Sequence, residues 1–199
     1  MTGMIDDVEP RWKHLLQPWK IAVFLMAIFL ASQAYFYWQD RPIVSALNDD
    51  PKFSMPEFPL EFSTTIQYDP LTFVGRGARA GFWDWTPEGL VLTEDGSRYF
   101  GMEGDRIVSH TTAGRRRFSR LRERVSLAET ETVHFFYLWE EISAPAVALL
   151  FPPPKLGDEY RARAELVYVG GTWQVSSVES PDFDEPLQNL QSIATGVLH

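Results

Sequence analysis

The sequence predicts an α+β protein: one N-terminal transmembrane helix, then a single extramembrane domain with a curved antiparallel sheet and a few short helices. Three observations carry this. Residues 21–38, "IAVFLMAIFLASQAYFYW", form an apolar run without a charge. Residues 130–142, "TETVHFFYLWEEI", place Val133, Phe135, Tyr137 and Trp139 on one face of a strand and Thr132, His134, Phe136 and Leu138 on the other. Two apolar faces predict a central strand covered on both sides. Finally, Gly170-Gly171 separates "EYRARAELVYV" from "TWQVSSVE", the pattern of a two-residue hairpin turn.

The first element is the apolar run. Eighteen residues at 1.5 Å each reach about 27 Å, close to a bilayer core and longer than the usual secretory h-region of about 7–15 residues. Ser32-Gln33-Ala34 has the small residues of a cleavage site, but the length favours an uncleaved anchor. Trp12 and Trp19 on one side and Tyr35, Tyr37 and Trp38 on the other read as membrane-interface residues. Arg11, Lys13 and Lys20 before the run, against Arg41 and Lys52 after it, place the N-terminus in the cytoplasm and the large domain outside, in a periplasm or its equivalent. Residues 1–20, with Pro10 and the spaced Trp12, Leu15, Leu16 and Trp19, are expected to be a cytoplasmic interfacial segment, with a flexible polar tail as the alternative.

Residues 39–61 read as a proline-rich linker, extended and semi-rigid, with Pro51, Pro56 and Pro59 among apolar residues that pack on a neighbour or fold back on their own domain. The domain proper is expected over 62–199. "FSTTIQY" (62–68) reads as a strand. Residues 94–100 read as a short helix, against a competing strand, Asp95-Gly96 turn and strand. Residues 143–151 read as a short helix capped by Ser143 and stopped by Pro152-Pro153-Pro154. In the tail, Leu187, Leu190 and Ile193 recur at helical spacing.

Composition narrows the chemistry. The 199 residues carry a net charge of −9, which disfavours general binding to nucleic acid, and there is no cysteine for a disulfide, thiolate nucleophile or iron–sulfur cluster. The apolar content of 45% supports a packed core. Gly75, Gly77 and Gly81 follow a possible strand over 71–74, but Pro87 comes too soon for the long helix a dinucleotide fingerprint requires, and a turn-rich loop is expected. The histidines, His14, His110, His134 and His199, have no metal-ligand spacing. His134 with Asp84 or Asp69 is the one conceivable acid–base pair, weighed against a satisfied core histidine. No catalytic, cofactor-binding or metal residue is assigned.

Six arginines lie from Arg115 to Arg124. On a regular strand Arg120, Arg122 and Arg124 share one face, a partner-docking candidate set against a solvated sheet edge kept soluble by charge.

The stretch "YRARAELVYVGGTWQVSSVE" (160–179) resembles the last hairpin of the NTF2-like fold, a curved sheet cupping a helix, and the layout resembles that of membrane-anchored VirB8-type secretion-system subunits. The leading functional expectation is a non-catalytic, single-pass accessory subunit of a larger membrane complex, photosynthetic or respiratory hosts included. Its partners would be other membrane-protein subunits and the lipid bilayer, with no nucleic acid and no cofactor. The alternatives are a membrane-tethered NTF2-like binding or enzymatic domain and a secretion-system scaffold subunit.

Overall fold

The computed structural model describes residues 18–196, the side chains of 18 and 33–37 excepted. It is α+β, with three antiparallel sheets. The chain divides into two units, Met1–Pro42 and Ile43–His199.

Helix α1, Pro18–Asp49, runs without a break through the expected anchor and half of the expected linker. Among the described residues no helix is long and apolar enough to cross a membrane. That overturns the expected transmembrane span at 21–38, and with it the single-pass topology, the cytoplasmic N-terminus and the periplasmic domain. The described apolar side chains between Lys20 and Ser32 cover only about 17 Å of helix, against a bilayer core of about 30 Å. Further along, the same helix carries Asp40, Arg41 and Asp49. The interfacial assignments of Trp12, Tyr35 and Tyr37, and the segment before residue 18, lie outside the described residues. Trp19 and Trp38 are exposed on α1.

In the Ile43–His199 unit, the end of α1 contributes buried Ile43 and Leu47. The one-turn helix α2, Pro51–Ser54, follows; the Asp50 side chain accepts from Lys52 N at 2.8 Å and Pro51 sits in its first turn, a favourable start. Phe53, Phe58, Leu60 and Phe62 are all buried. The expected extended linker is therefore core: its aromatics fold back on their own domain, because leaving four such side chains in water costs about 1.5–3 kcal/mol each.

Strand β1, Glu61–Ser63, is shorter than expected, and helix α3, Phe73–Arg79, replaces the expected strand and loop. A hairpin follows, β2 (Trp83–Thr86) with β3 (Gly89–Leu92). A 3₁₀ turn at Gly96–Arg98 stands where the helix over 94–100 was expected. Strands β4 (Phe100–Glu103) and β5 (Arg106–Ser109) then complete a three-stranded sheet, order β1-β5-β4.

The larger sheet is a four-stranded meander of β6 (Gly114–Leu127), β7 (Thr130–Ile142), β8 (Glu159–Val169) and β9 (Thr172–Glu179), in that order. As expected, β7 is central, and its Val133, Phe135, Tyr137 and Trp139 are buried. Its opposite face, expected to be covered as well, is only half-buried. Helix α4, Ala144–Leu149, starts at Ser143, whose hydroxyl accepts from Ala146 N. Helix α5, Pro181–Ala194, buries Phe183, Leu187, Leu190 and Ala194, while Ile193 faces outward.

Between β8 and β9, Gly170 and Gly171 have φ of +60° and +89°, the backbone a tight primed turn requires. Nothing lies within 4 Å of a Cβ at either position, so backbone strain alone opposes a side chain there. Replacing both with Val is expected to lower the unfolding free energy by about 1–3 kcal/mol, read by chemical denaturation. Unchanged stability would contradict this account of the turn.

Candidate functional site

The register of the arginine-rich strand decides what it presents. Strand β6 pairs with β7 through three irregularities, at Arg115/Arg116, Phe118/Arg120 and Leu121/Glu123. Each extra residue inverts the alternation that follows. Arg120 therefore pairs with Phe136, on the outer face of the sheet, and Arg124 with Val133, on the inner one. The expectation that Arg120, Arg122 and Arg124 share a face fails for this reason. Arg122 falls in the third irregularity, between Leu121 and Glu123.

The charges are also largely spent inside the domain. Arg120 grips Glu159 with two nitrogens, at 2.8 and 3.1 Å, and its guanidinium lies 3.9 Å from the Phe136 ring centroid. That contact and the Ser119 hydroxyl hold the Glu159 carboxyl below its usual range. Arg117 reaches Glu140 at 3.3 Å, and Arg115 reaches Glu140 at 3.3 Å and Glu141 at 2.9 Å. Arg124 pairs with the buried carboxylate of Glu131, to which Ser126 also donates. Among the described residues, Arg122 alone of the three candidates makes no ion pair.

Arg116 is different. It is 4% exposed and pairs with Trp139 across the inner face. Its guanidinium carbon lies 4.8, 4.6 and 4.4 Å from the ring centroids of Tyr137, Trp139 and Phe183. Nη1 donates to Ser180 Oγ at 2.8 Å. Its Nε and Nη2, the Tyr137 hydroxyl and Trp139 Nε1 are buried with no hydrogen-bond partner among the described residues. Three aromatic faces thus take the place of a paired carboxylate, each contributing on the order of 1–2 kcal/mol when desolvated. Burial pushes the Tyr137 phenol up to about 12, opposed by the nearby Arg116 charge. Burial also raises the Asp184 carboxyl, although it accepts from Ser180 N.

The catalytic candidates do not assemble. His134 sits on the outer face of β7, paired with Glu123 on one side and Arg163 on the other, whereas Asp84 belongs to the β2–β3 hairpin and Asp69 to the turn before α3. Among the described residues no group of His, Asp or Glu could hold a metal ion. Two of the three glycines of "FVGRGARAG" serve packing, and Gly81 takes a positive φ of +79° after α3. Gly75 and Gly77 lie inside α3, where a Cβ would collide with the Pro70 backbone and with the Trp83 indole. Trp83 Nε1 in turn donates to Val74 O at 2.8 Å.

Sequence reasoning missed Arg116, because a buried arginine among exposed ones has no local signature; only the pairing register reveals it. It also missed a cavity of about 200 Å³ between the proline segment after α4 and the start of α5, with Trp139, Tyr160 and Phe183 in its wall. No family model, no curated protein and no solved structure matches the chain.

The buried phenol gives a pH signature. Below pH 10 Tyr137 is neutral folded or unfolded. Between about 10 and 12 the unfolded chain releases the proton first, so stability falls as pH rises. Tyr137→Phe is expected to remove a loss on the order of 2 kcal/mol over that interval. Denaturant midpoints of both proteins at pH 9 and pH 11.5 test it: parallel losses would show that this phenol does not titrate late.

Proposed function

We infer that the protein is a non-catalytic accessory subunit that binds other protein chains within a larger assembly. The observation that supports this reading most directly is the apolar part of α1. Val23, Phe24, Leu25, Met26, Ile28, Phe29 and Leu30 follow one another around the helix and are each 51–65% exposed. A helix that is apolar on every side is normally buried, and a contiguous exposed apolar patch marks a surface that something else covers. In this reading the cover is the apolar face of a partner subunit.

The rest of the surface fits the same role. Most arginines of β6 are committed to pairs within the domain, each exposed pair worth about 0–1 kcal/mol. They serve first to hold the sheet together. A docking role for that strand then rests on Arg122.

The test is a site-specific photo-crosslinker in place of Phe24 or Phe29, in the full-length protein expressed in its own cells. The expected result is a small set of discrete protein adducts, lost when Leu25 and Ile28 are changed to Glu. Adducts to lipid alone, or none at all, would overturn the reading.

A further inference from the structure

We propose that the cleft between residues 151–158 and the first turn of α5 binds an extended, proline-containing basic peptide segment of a partner protein. The cleft belongs wholly to the Ile43–His199 unit and does not depend on what covers α1.

Its inner part is the cavity of about 200 Å³, walled by Pro152, Pro153 and Pro154 on one side and by Tyr160 and Pro186 on the other, with Trp139 and Phe183 behind. Prolines and aromatics make a stiff apolar slot that fits a rigid ring, the kind of wall that receives polyproline-type segments. Phe151 and Leu156, flanking the prolines, are 76% and 62% exposed. An apolar ligand can therefore extend beyond the slot.

Trp139, 3% exposed, closes the slot with its ring, on which the buried Arg116 guanidinium stacks at 4.6 Å, so this part of the wall is held rigid.

The outer part sets the sign of the ligand. A wider opening of about 670 Å³ continues from the slot, sharing Pro152, Asp158, Tyr160, Asp182 and Pro186 with it. Four carboxylates line it, from Asp158, Glu159, Asp182 and Glu185. Two are already engaged: Glu159 with Arg120, and Asp182 with Arg161 at 3.1 Å. Asp158 and Glu185 are exposed and make no ion pair among the described residues, Glu185 acting on Arg161 only through its charge at longer range. In a domain that pairs most arginines of its large sheet, two acids without an ion pair beside an apolar slot match a lysine or arginine of the ligand. Lys155 at the inner rim disfavours a cation there and directs it to the outer opening.

The experiment uses the full-length protein and an acetylated, amidated decapeptide alternating proline with arginine, followed by isothermal titration calorimetry. Saturable one-to-one binding is expected, about tenfold weaker for Asp158→Asn/Glu185→Gln, two exposed changes that leave the fold intact. The same peptide with glutamine in place of arginine should lose affinity to a similar degree. Alanine in place of proline, with arginine kept, should also weaken it, since the slot then loses its ring. No saturable binding, or equal affinity for wild type and the double variant, would overturn the proposal. Spermidine competing as well as the peptide would overturn it too, by showing that charge alone is read.

Discussion

The Ile43–His199 unit depends on one constraint: the inner face of β7 must be covered. Val133, Phe135, Tyr137 and Trp139 form an unbroken apolar row along it, and a row of that size cannot face water. Phe53 of α2 meets Phe135 and Tyr137 edge-on, at 5.3 and 5.9 Å between centroids, and Phe183 of α5 meets Trp139 at 5.5 Å. Sequence segments more than a hundred residues apart are thus fixed on one strand. Each end of the row also holds a buried charge, Glu131 beside Val133 and Arg116 beside Trp139. The first is neutralised by Arg124 and the second by aromatic faces. Two solutions to charge burial therefore bracket one hydrophobic stripe, and both fix the register of β6 against β7.

That register explains the outer face. Two one-residue irregularities carry the arginines from one side of β6 to the other. Arg117 and Arg120 then meet Glu140 and Glu159, while Arg163 meets Glu165 at 2.8 Å and Glu179 at 3.8 Å. The result is a ladder of exposed pairs across the sheet, over the half-buried Phe136 and His134. Each pair contributes little stability alone. Together they discourage further strands from adding to β6, because an added strand would have to displace or desolvate them.

Several elements were legible in the sequence because their signals are local. The Gly170-Gly171 turn, the Ser143 cap, the spacing of Leu187 and Leu190 and the alternation of β7 each arise from neighbours within a few residues, and the structure has all four. Elements decided by distant contacts were not legible. Residues 71–81 read as a strand and a turn-rich loop because Pro87 comes too soon for a long helix. Residues 73–79 become α3 because Gly75 and Gly77 let a short helix lie against Pro70 and Trp83. Residues 51–62 look like a tether because prolines punctuate them, yet Phe53, Phe58, Leu60 and Phe62 are claimed by the core. The irregularities in β6 leave no mark in the arginine spacing, so a simple alternation put three residues on one face. The apolar run of α1 illustrates the same limit: a count of uncharged residues measures length, while Asp40, Arg41 and the buried Ile43 and Leu47 show the helix continuing into different surroundings.

The chain carries 27 acidic against 18 basic residues, so some acids must go without a basic partner. Spread evenly over the surface, such acids would promote solubility and nothing more. On the sheet, however, most arginines of β6 and β8 are matched to acids, Arg116 and Arg122 being the exceptions among the described residues. Asp158 and Glu185 stand at one end of this ladder, in an opening where their neighbours Glu159 and Asp182 are already neutralised by arginines of the same ladder. The matched pairs remove competing charge from both sides of the cleft without filling it. The field there comes from the two acids left over, opposed by Lys155 at the inner rim and by the Arg161 charge near Glu185, and it falls on a rigid proline and aromatic wall. Local neutralisation of the sheet thus gives the cleft its sign, and that sign comes from the same register of β6 that splits the arginines between two faces.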